Sequence, residues 1–82
     1  MKTLSKKDPE VIEKTYDILE KIIVSIDFNT KEELEQLADI MVKKVENGDY
    51  PQILKLAYAD ARDKIKVLSL EQLNEIKNII NS

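Results

Sequence analysis

The chain of 82 residues has no cysteine, no histidine and no tryptophan, and it has one glycine and two prolines. Without cysteine there is no disulfide to staple the fold, and a structural zinc site is not expected. Without histidine the usual general base and the commonest metal ligand are missing. No apolar run approaches the roughly 20 residues needed to span a bilayer. The longest is Ile22-Ile23-Val24, resumed at Ile26. The start, MKTLSKKDPE, carries lysines with no apolar stretch behind them, which is not the pattern of a signal peptide. These absences predict a soluble protein kept in the cytoplasm. A single small domain over residues 1–82 is expected, with a thin core.

Charge excludes another class. The net charge is −3, so the chain is not a basic nucleic-acid binder by overall balance. Residues 1–41 hold 6 Lys against 10 Asp and Glu, and residues 42–82 hold 7 Lys and Arg against 6 Asp and Glu.

What is present is leucine, isoleucine, lysine and glutamate, a composition that favours helix. Four helices are predicted, over about residues 9–27, 31–46, 51–66 and 70–80. Asp8-Pro9 reads as the start of the first, with Asp8 as cap and Pro9 in the first helical position. Its stripe is Ile12, Tyr16, Leu19, Ile23 and Ile26, widened by Val11, Ile18 and Ile22. The second opens with Thr30 and Glu33 as a capping box and carries Leu34, Leu37, Ala38, Met41 and Val45 inward. Gly48 reads as its stop, in the left-handed conformation that glycine adopts at no steric cost. Asp49 or Tyr50 is expected to cap the third helix, with Pro51 in its first turn. Leu54, Ala57, Ala61, Ile65 and Leu68 form its inward stripe, and the two alanines imply close approach to a neighbour. Ser69 with Gln72 is a second capping box, flanked by a Leu68–Leu73 staple. Leu70, Leu73, Ile76, Ile79 and Ile80 complete the last helix. Short connections between four amphipathic helices predict an all-α, antiparallel up-down four-helix bundle. The rival arrangement has the fourth helix crossing the end of a three-helix core.

Reaction chemistry is nearly absent. The carboxylate pairs Glu32/Glu33 and Asp60/Asp63 read as a solvated helical face. The segment DFNTKEE lacks the glycine and the alternation of a calcium loop. No glycine-rich loop can cradle a phosphate, and no histidine or cysteine can activate a hydroxyl. No catalytic residue, metal site, cofactor or small-molecule substrate is predicted, and the chain is not expected to be an enzyme.

One surface stands out. Lys55, Tyr58, Arg62 and Lys66 recur at i, i+3, i+7 and i+11 and share a face of the third helix, roughly 100° from its apolar stripe. Tyr50 would stand at its end. Two readings stand side by side. The lysine stems lie along a half-buried tyrosine, or the strip docks a protein or an anionic lipid surface, since Tyr and Arg often anchor interfaces. Asn74, Lys77, Asn78 and Asn81 form a second polar face on the last helix, either solvated or able to hydrogen-bond a partner. A helix-turn-helix reading of the third helix is weaker, because Asp60 and Asp63 sit among its cations.

Lys43-Lys44-Val45-Glu46-Asn47-Gly48, then Ile53-Leu54-Lys55-Leu56, then Leu68-Ser69 and a short final helix follow one another in a recognisable order. Over about residues 32–80 the chain resembles the immunity proteins of class IIa bacteriocin producers, the enterocin A immunity family. Residues 1–31 match only as a helix of suitable length. The resemblance implies an antiparallel four-helix bundle in the cytoplasm of a Gram-positive producer. It also implies protection of that cell from its own bacteriocin, without enzymatic activity, by contact with the bacteriocin–receptor complex and the mannose-phosphotransferase membrane components at the inner membrane face. On that reading Tyr50, Lys55, Tyr58, Arg62 and Lys66 make the contact, with Asn74, Lys77, Asn78 and Asn81 as secondary candidates. The alternative is a helical adaptor or regulator, phage- or plasmid-borne, that binds another protein or itself. Nucleic acid is not expected as a partner.

Overall fold

A computed structural model describes residues 5–82. Residues 1–4, the beginning of the lysine-bearing start, lie outside the described residues. Four helices follow in order: α1 Pro9–Ser25, α2 Lys31–Asn47, α3 Gln52–Val67 and α4 Leu70–Asn81. No strand occurs among the described residues, and the chain is an all-α four-helix bundle.

The helix starts are local chemistry. Ser69 and Gln72 form a complete capping box: the Gln72 N–H donates to Ser69 Oγ at 3.1 Å, and the Ser69 N–H donates to Gln72 Oε1 at 2.9 Å. Thr30 and Glu33 form half of one. Thr30 Oγ1 accepts from the Glu33 N–H at 3.4 Å, whereas Glu33 Oε1 accepts from the Asn29 N–H at 3.2 Å. Asp8 holds the cap position of α1, but its carboxylate turns back to the Ser5 N–H at 2.9 Å instead of capping the helix.

One core draws on every helix. Ile18, Leu19, Ile22, Ile23, Phe28, Leu34, Ala38, Ala57, Ala61, Ile65 and Leu73 make up a buried cluster. Ala38, Ala57 and Ala61 are all fully buried, and the absence of longer side chains there lets backbones approach. α1 and α3 share the largest interhelical interface, followed by α2 and α3. In a square up-down bundle α1 and α3 would face each other across a diagonal. Here α3 is the central helix, and α4 leans on α1.

Several expectations are corrected. The core face of α1 is Val11, Thr15, Ile18, Leu19, Ile22 and Ile23, while Ile12 and Tyr16 are exposed at its edge. Thr15 disguised that face in the sequence. It is buried, and its hydroxyl donates to the Val11 carbonyl at 2.6 Å, so the polar group is satisfied without water. α1 ends at Ser25, and Ile26 is extended, which turns Phe28 into the core. Val42, passed over in the α2 stripe, is buried. Ile79, expected inside, is 73% exposed, and Leu73 is the one buried side chain of α4.

Candidate interaction surface

The α2–α3 corner holds the chain's one glycine for a reason the sequence did not show. Gly48 has φ −96° and ψ 174°, an extended conformation open to any residue, so the left-handed expectation is wrong. Space is what it supplies. A Cβ at Gly48 would stand 2.5 Å from Cε2 and 2.7 Å from Cδ2 of Tyr50, and 3.1 Å from the Lys44 carbonyl oxygen. The Tyr50 ring therefore lies against the bare backbone of Gly48. Pro51, not Asp49 or Tyr50, takes the cap position of α3, where its carbonyl accepts from the Leu54 N–H at 3.1 Å and the Lys55 N–H at 3.3 Å.

Tyr50 remains 41% exposed. It lines a shallow hollow of about 150 Å³ with Met41, Lys44, Val45 and Tyr58. Tyr50 and Tyr58 are thus brought together. Along α3 the strip continues through half-buried Lys55 and Arg62 to exposed Lys66. Two of its three cations have acidic partners. Asp39 of α2 stands 4.0 Å from both Arg62 Nε and Lys66 Nζ, and Asp63 stands 3.5 Å from Arg62 Nε. The Arg62 Nε atom is buried with no hydrogen-bond partner among the described residues. Lys6, ahead of α1, donates to Asp63 at 2.8 Å. That bond is the main cause holding the Asp63 carboxyl below the usual aspartate range, opposed by partial burial and aided by Lys6 and Arg62 charge. The strip is a tyrosine pair at one end and an arginine–lysine–aspartate seam between α2 and α3 at the other.

The second candidate face divides. Asn74 is exposed, with its amide donating to the Leu70 carbonyl at 3.1 Å, and Asn78 and Asn81 are exposed. Lys77 does not join them in solvent. It is turned toward the end of α1, where its ammonium donates to the Ile26 carbonyl at 3.3 Å and to Asp27 at 2.7 Å, and stands 5.1 Å from the centre of the Phe28 ring. α1 has no basic residue in its last turn. Lys77 supplies the cation that a helix C-terminus favours. The bond from Lys77 is also the first cause of the lowered pKa of Asp27.

Sequence reading missed a third surface. Tyr16, Leu19 and Glu20 of α1, Lys64 and Val67 of α3, Leu68, and Ile76 of α4 line an open groove of about 410 Å³. Its signal was Tyr16, Leu68 and Ile76, which were assigned inward, together with Val67, which belonged to no stripe. No group of three or more metal-binding side chains gathers among the described residues, and no helix there is long and apolar enough to cross a membrane.

Compared with protein-family models, curated proteins and solved structures, the chain matches none.

Proposed function

We propose that the chain is a non-enzymatic immunity protein of the class IIa bacteriocin type. It would act in the cytoplasm by protein contact with the bacteriocin-bound receptor at the inner membrane face. The observation that carries the reading is the corner between α2 and α3: Gly48 seats Tyr50 beside Tyr58 at the head of a strip that continues through Lys55, Arg62 and Lys66. The order of elements around it, a basic-acidic helix end with glycine, a helix with the Ile53-Leu54-Lys55-Leu56 pattern, then Leu68-Ser69 and a short last helix, supports the same reading. A tyrosine pair with flanking cations has the composition of an interface anchor.

The test is protection. The chain is produced in a strain sensitive to class IIa bacteriocins, and the cells are challenged with a panel of these peptides. The expected result is survival against one or a few of them, lost in Tyr50→Ala and Lys55→Glu chains that remain folded. Uniform killing, with the wild-type protein folded and abundant in the cells, refutes the immunity reading and leaves the helical adaptor.

A further inference from the structure

The groove between α1, the end of α3 and α4 lies apart from the tyrosine strip, and its role is independent of the immunity reading. Its floor is Leu19, Leu68 and Ile76, and Tyr16 and Val67 rise at its sides, 51% and 79% exposed. A second hollow of about 270 Å³, lined by Asp17, Glu20, Lys21, Val24 and Ile80, adjoins it through Glu20. From Tyr16 to Val24 the trough follows α1 for about 12 Å, the length of two turns of a partner helix.

Charge decides what can lie there. Glu10, Glu13, Asp17 and Glu20 recur at i, i+3, i+7 and i+10 and share one face of α1, and of them Asp17 and Glu20 line the hollows. None of the four makes an ion pair among the described residues. The cations of α1 beside them are Lys14 and Lys21, likewise without an ion pair among the described residues. Lys64 is occupied: its ammonium is 3.9 Å from Asp60 and 5.5 Å from the centre of the Tyr16 ring. Along the trough itself Glu13, Asp17 and Glu20 stand against the one ammonium group of Lys21 that makes no ion pair among the described residues, and the rim is negative. An anionic membrane or an acidic peptide would be repelled. A second copy in a two-fold dimer would bring this same acidic face against itself.

We infer that this trough is a docking site for an amphipathic helix bearing basic residues beside its apolar stripe. The partner's apolar side chains would cover Val67, Tyr16 and Ile76, and its Lys or Arg side chains would face Glu13, Asp17 and Glu20, the helix-in-groove mode of recognition.

The probe is a fluorescein-labelled synthetic helix of about five turns with a leucine stripe flanked by lysines, and its counterpart with glutamates in place of the lysines. Fluorescence anisotropy should show the lysine peptide binding and the glutamate peptide at least about tenfold weaker. Val67→Glu should weaken the lysine peptide by about tenfold although it adds a negative charge. Position 67 is exposed, so the variant should keep its helical circular dichroism. Ile40→Glu, on an exposed site of α2, should change little. Glu13→Gln with Glu20→Gln should weaken binding and flatten its salt dependence.

Equal or tighter binding of the lysine peptide to Val67→Glu would mean general charge attraction, and would overturn the proposal. So would equal binding of both peptides, or of neither. Association with phosphatidylglycerol vesicles that Val67→Glu abolishes would assign the trough to lipid instead. A dimer in sedimentation equilibrium that the same variant dissociates would assign it to a second copy.

Discussion

Replacing Gly48 by alanine distinguishes a glycine kept for its backbone angles from one kept for the room it leaves. With φ at −96°, alanine fits the backbone, and Gly→Ala at a compatible site stabilises by about 0.4–1 kcal/mol through the unfolded chain. Against this stands the added methyl, 2.5 Å from the Tyr50 ring, which must swing away. With 41% of Tyr50 exposed, more than half of the residue is covered. A fully buried tyrosine hides about 150–250 Å². At 25 cal/mol per Å² the covered area is worth about 2–4 kcal/mol, and with a partly compact unfolded chain and a ring that swings aside but keeps part of its contact, losing this seat costs about 1–2 kcal/mol. The single variant should therefore be less stable by about 1 kcal/mol. The decisive measurement is a double-mutant cycle by urea denaturation. In a Tyr50→Ala background the ring is gone, and Gly48→Ala should become neutral or slightly stabilising, limited by the Lys44 carbonyl at 3.1 Å. If Gly48→Ala costs the same about 1–2 kcal/mol in both backgrounds, the glycine is needed for a left-handed backbone and the steric account fails.

Lys77→Met should keep the contact with Phe28 but leave the Ile26 carbonyl without its charged donor, at a cost of about 1–2 kcal/mol. Amide exchange should quicken in α4, which buries only Leu73 fully, more than in α2 or α3, and unchanged exchange in α4 would refute the clasp. Ala61→Leu should lower stability by about 1–3 kcal/mol, because α3 is packed against both α1 and α2 there, and an unchanged denaturation midpoint would mean that the helices can separate freely. Asp63 is depressed below the usual aspartate range by Lys6, so its contribution is present above that range and fades as pH falls through the folded value. Lys6→Gln should lower the melting temperature slightly at neutral pH and leave it unchanged once Asp63 is protonated, so that the acid limb becomes shallower. An acid limb identical to wild type would show that the pair is not formed in solution.

The sequence determined what is local. Pro9, the Ser69–Gln72 box, the glycine-proline corner and the apolar periodicity each act within one turn of chain, so four helices and their approximate ends could be read from the residues alone. The strip from Tyr58 to Lys66 was visible for the same reason, since its spacing is the helical repeat. Tertiary structure decided everything that depends on a neighbour. α1 has apolar residues around much of its girth, and only its packing against the other helices selected Val11, Thr15, Ile18 and Ile22 as buried and left Tyr16 at the edge. Asp39 faces Arg62 and Lys66 because α2 and α3 pack side by side, which no spacing within α3 reveals. Lys77 finds the end of α1 across 51 residues of sequence. Gly48 is small because the ring of Tyr50 comes to rest on it, and a ring's resting place is set by packing, not by the order of residues.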